Sequence, residues 1–224
     1  MIEGAMLVRE ALSAGLALEA LYLDERAPED LRHLGAPVHD VDADTLARVA
    51  STEAPQPVLA VAPMCDVPLA AVAGASFVVV AHRLADPGNA GTILRTAEAS
   101  GADAVVLSAG SVDLFNPKVV RASAGALFHV PVVQGPDLGE IGPALELPLV
   151  GAASTGGTPY RDFPLEEPLA LVLGSEAHGF EGVAPDLLDD IVSIPHAGRA
   201  ESLNVAMAAA VLCFEIAHRR RPLY

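Results

Sequence analysis

Tryptophan is absent from this 224-residue chain and aromatic residues make up only 4% of it. That excludes a surface that grips single-stranded nucleic acid chiefly by stacking bases on rings. Basic residues are scarce: 13 Lys and Arg stand against 29 Asp and Glu, a formal net charge of -16. As an average, this balance opposes a polyanionic partner, because phosphate binding runs on Lys and Arg displacing counterions. Any nucleic-acid contact has to rest on a local basic focus. The two cysteines, Cys65 and Cys213, lie far apart with no second Cys or near His at metal-ligand spacing. No zinc site is legible, no metal is expected, and both read as core thiols. The amino terminus has no basic segment leading into an apolar core, and the longest apolar run, 205–214, falls short of the roughly 20 residues that span a bilayer. No membrane partner and a cytoplasmic location are the expectation. No GxGxxG follows the first strand, no Walker loop occurs, and no Ser-His-Asp arrangement is evident. His82, His129, His196 and His218 are scattered and read as core-edge or loop residues.

What is present is core material: 52% of the residues are hydrophobic and the mean hydropathy is +0.41. Up to about residue 62, helix-like and strand-like segments alternate, with Asp42 or Asp44 placed to cap a helix that begins near Thr45. The stretch APMCDVPLAAVAG, 62–74, has the composition of a linker. The expected division is therefore a small α/β domain with its linker over 1–70 and a larger domain over 71–224. In the latter, FVVVAH, AVVLS, VPVV, PLVGAA, LALVLGSE and DIVSIP are short Val-, Leu- and Ile-rich runs between helical or loop segments. Strands apolar on both faces and alternating with helices predict a doubly wound parallel sheet.

Four segments of the larger domain carry candidate chemistry. LVLGSEAHGFEG, 171–182, reads as a buried strand over 169–173 opening into a glycine-rich loop with one carboxylate, Glu176. IPHAGRAESLNVAM, 194–207, reads as the end of a strand over 191–194, a loop, and the start of a helix that is apolar nearly all round over 203–217, with Ser202 or Asn204 as its cap. Two such loops at the carboxyl ends of neighbouring strands define a ligand pocket in an open α/β sheet. ADPGNAGTILRTAEASGADAVVL, 85–107, puts a turn before a helix from about Ala90, with Asn89 placed to cap it and Arg95 able to pair with Glu98. NPKVVRASAGALFHVPV, 116–132, places Lys118 and Arg121 three apart on one helix face, followed by Ser123, a basic focus that could engage phosphate or be two solvated charges.

These segments, in this order and at these distances, resemble the SpoU (TrmH-like) branch of the SPOUT RNA 2'-O-ribose methyltransferases over 76–220. EGAMLVREAL and PQPVLAVA further resemble the ribosomal-protein-like substrate-binding domain that many members carry in front. The resemblance implies an α/β fold with a SPOUT-type parallel sheet and a C-terminal trefoil knot, a homodimer built on the knot region, and S-adenosylmethionine as cofactor. Carried over by motif, Asn89 and Arg95 match the first, Glu176 the second, and Ser202 with Asn204 the third, as the catalytic set. Arginine with a pKa above about 12 makes a demanding base, so the role expected of Arg95 is orienting phosphate and stabilising a developing alkoxide. Cofactor contacts are expected from Ala152, Ala153, Ser154, Leu173, Gly174, Ser175, Glu176, Gly179, Ile194, Ser202, Leu203 and Asn204. RNA contacts are expected from Lys118, Arg121 and Ser123.

The implied activity is methylation of a ribose 2'-hydroxyl in structured RNA, with ribosomal RNA favoured over transfer RNA by the front domain. An RNA-binding or scaffold protein without turnover, or a small-molecule-binding protein, are the alternatives. Relatives with this front domain usually carry a basic helix ahead of the Glu-Gly pair, whereas this chain reaches Glu3 and Gly4 almost at once. The expectation is that the start is truncated or that a substrate-gripping piece is absent.

Overall fold

The computed structural model describes all residues except Glu53, Glu167, 176–178, Ala200 and 221–224. The chain begins with β1 (Ile2–Glu3), α1 (Ala5–Ser13), β2 (Ala20–Leu23), β3 (Val38–Asp40), α2 (Ala43–Val49) and β4 (Val58–Val61). Their four strands form one sheet in the order β1-β4-β2-β3, with β4 antiparallel to both neighbours and β3 parallel to β2. Helix α1 turns Leu7, Val8 and Ala11 inward, a three-to-four-residue spacing that makes one apolar stripe. Of the two candidate caps for α2 it is Asp42 that serves, accepting from the Thr45 N–H at 2.8 Å.

The second sheet is built from β5 (Phe77–Ala81), α3 (Pro87–Ala99), β6 (Ala104–Leu107), α4 (Pro117–Ala122), β7 (Val132–Gln134), α5 (Leu138–Leu145), β8 (Leu149–Ala153), β9 (Thr158–Pro159), β10 (Leu169–Leu173), β11 (Asp190–Ser193) and α6 (Val205–Arg220). Its order is β7-β6-β5-β10-β8-β11-β9 and every pairing is parallel. All five residues of β5 and of β10 are buried, as strands covered on both faces must be. One core, including residues of α3, α4 and α6, fills one face and continues into the front domain through Ile2, Leu7, Val8 and Leu21. A second core, with Leu138, Ile141 and Leu145 of α5, fills the other. Among the described residues no helix is long and apolar enough to cross a membrane.

Two details differ from expectation. Asn89 does not cap α3: Asp86 does, accepting from the Asn89 N–H at 2.8 Å, because Pro87 takes the first helical turn, where its missing N–H costs nothing. The Arg95–Glu98 ion pair does not form; Arg95 is exposed on α3 and makes no ion pair among the described residues. Helix α6 is buried on one side only, through Ala206, Ala209, Leu212, Cys213 and Ile216. Met207, Val211 and Phe214 remain 60%, 39% and 48% exposed and form a stripe along its other side. Cys213 is a core thiol, its pKa pushed up to about 12 by burial, and Cys65 is half-buried.

Helices α3 and α4 meet at Gly91, where an added Cβ would come within 2.3 Å of the Ala122 Cβ and 2.7 Å of the Ser123 nitrogen. The same junction explains why Ser123 is fully buried, its hydroxyl donating to the Val120 carbonyl at 2.8 Å. Arg121 reaches the front domain: its guanidinium lies 3.7 Å from the buried Glu3 carboxylate and donates to the Ser51 hydroxyl. Glu3 also accepts from Ser51 N–H at 3.2 Å, from Ser51 Oγ at 2.8 Å and from the Thr52 hydroxyl. Burial alone would raise the Glu3 pKa, but the hydrogen bonds from Thr52 and Ser51 outweigh it and hold the carboxyl below its ordinary value.

The sign of the pH effect follows. A carboxyl with a lowered folded pKa contributes stability that is fully present above its unfolded pKa and is lost as pH falls through the folded one. Glu3→Gln should therefore be less stable than the parent at pH 7, with the gap closing in urea titrations carried from pH 7 to pH 3. A gap that stays constant over that range would show that the Glu3 charge does not tie the two sheets together.

Candidate functional site

Strands β8, β10 and β11 are neighbours in register: Leu173 pairs with Ala152, and Ser193 with Ala153. Their carboxyl ends therefore finish side by side, and the loops that leave them emerge together. Between these loops and the start of α6 lies a cavity of about 640 Å³, within the range of small-molecule sites. Its wall includes Ala152, Ala153 and Ser154 from the first loop, Leu173, Gly174, Ser175, Gly179 and Phe180 from the second, and Ile194, His196, Glu201, Ser202, Leu203 and Asn204 from the third. Val205, Ala208 and Leu212 of α6 close it.

The second loop owes its shape to backbone contacts. Ser175 and Gly179 exchange N–H···O bonds of 3.1 and 2.9 Å, which hold these two residues against each other. Gly179 has φ +54°, and a Cβ on Gly174 would sit 2.8 Å from the Gly179 carbonyl. Gly174 is thus required by close approach. All the described cofactor candidates, Ala152, Ala153, Ser154, Leu173, Gly174, Ser175, Gly179, Ile194, Ser202, Leu203 and Asn204, meet at this cavity. Glu176, assigned to both the catalytic and the cofactor set, lies outside the described residues.

A second cavity of about 910 Å³ adjoins the first and shares Ser175, Gly179 and Asn204 with it. Asn89, His82, Arg83, Asp86 and Glu181 complete much of its wall. The two cavities are joined at one hydrogen bond: Asn204 Nδ2 donates to Asn89 Oδ1 at 3.0 Å. Asn204 also caps α6, its Oδ1 accepting from the Ala206 N–H at 2.9 Å and the Met207 N–H at 3.3 Å. A single side chain thereby fixes the helix start, a cavity wall and the link to the first motif. His82, at the end of β5, is buried with its Nδ1 3.0 Å from the Ser108 hydroxyl, and burial lowers its pKa, favouring the neutral ring.

Other expectations fare differently. Arg95 lines neither cavity. It faces outward on α3, one helical turn before Ala99, which lines a hollow together with the exposed Phe214 of α6. Lys118 is exposed at the start of α4. Ser123 offers no surface to a partner, being fully buried, and Arg121 is engaged with Glu3. His196 was missed as a site residue: its Nε2 is buried without a hydrogen-bond partner among the described residues, in the wall of the first cavity. Only its place two residues beyond a strand end could have marked it. No cluster of three or more His, Cys, Asp or Glu able to hold a metal occurs among the described residues.

A parallel α/β sheet with its pocket built by three carboxyl-end loops and a capping terminal helix defines a ligand-binding domain at a topological switch point. The chain belongs to the SpoU rRNA methylase family, whose model matches residues 76–214. A model described as an MRM3-like substrate binding domain matches residues 1–60. The chain is 40% identical over 220 residues to the 23S rRNA (guanosine(2553)-2'-O)-methyltransferase RlmP of Bacillus subtilis, covering 96% of this chain and 87% of that one. It is 37% identical over 150 residues to the 23S rRNA (uridine(2479)-2'-O)-methyltransferase of Streptomyces viridochromogenes, covering 63% and 52%. Its fold matches the crystal structure of the SpoU methyltransferase AviRb from Streptomyces viridochromogenes in complex with AdoMet, with a TM-score of 0.87, 30% identity and coverage of 98% of this chain and 89% of that one.

The double duty of Asn204 can be separated by substitution. Asn204→Ala should lose the helix cap, about 1 kcal/mol of stability, together with the link to Asn89. Asn204→Asp should keep the cap and lose only the donor, leaving stability near the parent while ligand affinity in the cavity falls. Equal destabilisation of both variants in thermal unfolding would show that the Asn89 contact, not the cap, carries the stability.

Proposed function

We propose that this chain methylates a ribose 2'-hydroxyl in ribosomal RNA, with S-adenosylmethionine as the donor. The observation that carries the reading is the pair of adjoining cavities joined at the Asn89–Asn204 hydrogen bond: one for the donor, one for the nucleotide. Membership of the SpoU family and similarity to proteins named as 23S rRNA 2'-O-methyltransferases support it.

The residues of the first cavity fit S-adenosylmethionine. Its apolar wall of Leu173, Ile194, Leu203 and Leu212 suits an adenine, and the backbones of Gly174, Ser175 and Gly179 supply polar groups. The Nε2 of His196, without a hydrogen-bond partner among the described residues, is a buried polar atom that a polar ligand would satisfy. When bound, S-adenosylmethionine supplies a methyl group on a sulfonium, an intrinsically activated donor. The protein is then left to align two reactants and exclude water. Ser202 and Asn204 shape the wall between donor and acceptor. Asn89, held by Asn204, orients the ribose. Arg95 engages the substrate phosphate and stabilises the developing alkoxide, with Glu176 supporting that arrangement.

Arg95 reaches this task through a homodimer. The stripe Met207, Val211 and Phe214 sets three large apolar side chains side by side at the surface, as interaction surfaces do, and Arg95 lies on α3 one turn before Ala99, which lines the same hollow as Phe214. A second copy seated there would cover the stripe and bring the Arg95 face against the partner's site. The last segments of the larger domain form a trefoil knot, and the division of labour runs between 1–70 as substrate-binding domain with linker and 71–224 as catalytic domain. Lys118 contacts the RNA backbone, and the setting is cytoplasmic. The target base varies among the similar proteins, guanosine in one and uridine in another.

Transfer of labelled methyl to 23S rRNA, read as 2'-O-methyl ribose that survives nuclease digestion, tests the reaction; absence of transfer despite donor binding would overturn it in favour of a binding protein. Arg95→Ala should reduce transfer by about 100-fold or more while donor affinity stays within about threefold, and matched losses of both would remove Arg95 from the chemistry. Phe214→Asp should give a monomer in sedimentation analysis and abolish transfer. An active monomeric variant would refute the shared site.

A further inference from the structure

Methylation of a ribose hydroxyl releases a proton, and the proton needs an acceptor. A guanidinium stays protonated at any working pH and stabilises charge instead of taking a proton, and Arg95 lines neither cavity. His82 lines the second cavity together with Asn89 and Asn204, and is the histidine there among the described residues. It is fixed from several sides. The His82 N–H donates to the Leu173 carbonyl of β10 at 2.8 Å, and the ring Nδ1 lies 3.0 Å from the Ser108 hydroxyl. That hydroxyl also accepts from the Arg83 N–H at 3.1 Å. Arg83 has φ +50°, a left-handed conformation uncommon outside glycine, so two consecutive residues meet one oxygen at a tight turn. The Ser108 hydroxyl in turn donates to the Ala109 carbonyl at 3.4 Å. With its single proton placed there, Ser108 accepts from Nδ1–H, and Nε2 keeps a bare lone pair.

We propose that His82 Nε2 is the proton acceptor for the ribose 2'-hydroxyl, within the second cavity. The proposal rests on the ribose-methylation reading, which sets the target ribose at Asn89 and Asn204. As the ribose oxygen bonds to the methyl carbon, the carbon–sulfur bond breaks, its electron pair stays on sulfur as a neutral thioether, and the O–H proton passes to Nε2. The imidazolium sheds that proton to solvent once the products leave. Ser108, which holds the ring through Nδ1, is a positioning residue. Burial first, and the charge of Arg83 second, keep the His82 pKa below its ordinary value, so the ring is neutral and able to accept at pH 7. The charged groups that share its cavity are Arg83, Asp86 and Glu181, and Asp86 also caps α3.

The test reads the ring and the reaction separately. In long-range proton–nitrogen NMR of the full chain, assigned with His82→Gln, the ring should show the Nδ1–H tautomer and titrate below about 6.5, the unperturbed histidine value. An Nε2–H tautomer at pH 7 would overturn the proposal, because that nitrogen would have no lone pair to offer. Single-turnover methyl transfer to 23S rRNA should fall as pH drops through the midpoint that NMR gives the ring. His82→Gln should lower the rate at pH 8 by about 100-fold or more and abolish that acid limb, with affinities for S-adenosylhomocysteine and rRNA within about threefold of the parent. Arg83→Gln removes a charge that helps lower the ring pKa, so the ring and rate midpoints should rise together. A rate midpoint that stays while the ring moves would give the proton to another group and refute the assignment. Transfer that persists in His82→Gln would remove His82 alone from the chemistry. No transfer by the parent, with the expected tautomer in place, would instead sink the methylation reading on which the role rests.

Discussion

Strand β10 lies between β5 and β8, hydrogen-bonded along its length to both, and the functional geometry depends on that insertion. Because the strands are parallel and in register, three carboxyl ends finish at one level and their loops form the first cavity. Because β5 is the neighbour on the other side, the loop after it, with His82, Arg83 and Asn89, opens beside the loop after β10. Two cavities sharing Ser175, Gly179 and Asn204 result from a single strand placement. The buried apolar side chains of β5 and β10 hold the arrangement from both faces.

Charge is used sparingly and locally. Several of the basic residues are tied into the fold: Arg9 to Asp30, Arg26 to Asp24, Arg32 to Asp40, Arg121 to Glu3, and Arg219 to Glu166 and Glu215. Arg83, Arg95 and Lys118 have no ion pair among the described residues, and Arg83 and Lys118 follow the carboxyl ends of β5 and β6. A net charge of -16 is thus compatible with a phosphate-bearing partner, since the field that matters is the one at that edge of the sheet.

Much of the fold was legible in the residues. The six apolar runs of the larger domain became six parallel strands because continuous Val, Leu and Ile mark strands buried on both faces. The first cavity was legible in the motifs, and every described residue expected to share a pocket lines it. Illegible were contacts made across long sequence distances. Arg121 looked like a basic patch because nothing local shows that Glu3 comes to meet it. Ser123 looked available because its burial comes from the close approach of α3 at Gly91. The capping of α3 by Asp86 instead of Asn89 turned on Pro87, a purely local matter that the residues could have settled.

The sequence by itself determined which segments are strands and helices, that the sheet is parallel, and which loops carry the ligand chemistry, because period, burial and turn residues are local properties. The tertiary structure alone decided the strand order, the joining of two cavities through Asn204 and Asn89, the exposure of one apolar side of α6, and the left-handed Arg83 at the second cavity. Each of these depends on where a segment lands relative to others distant in the chain, and packing is resolved by the whole molecule at once.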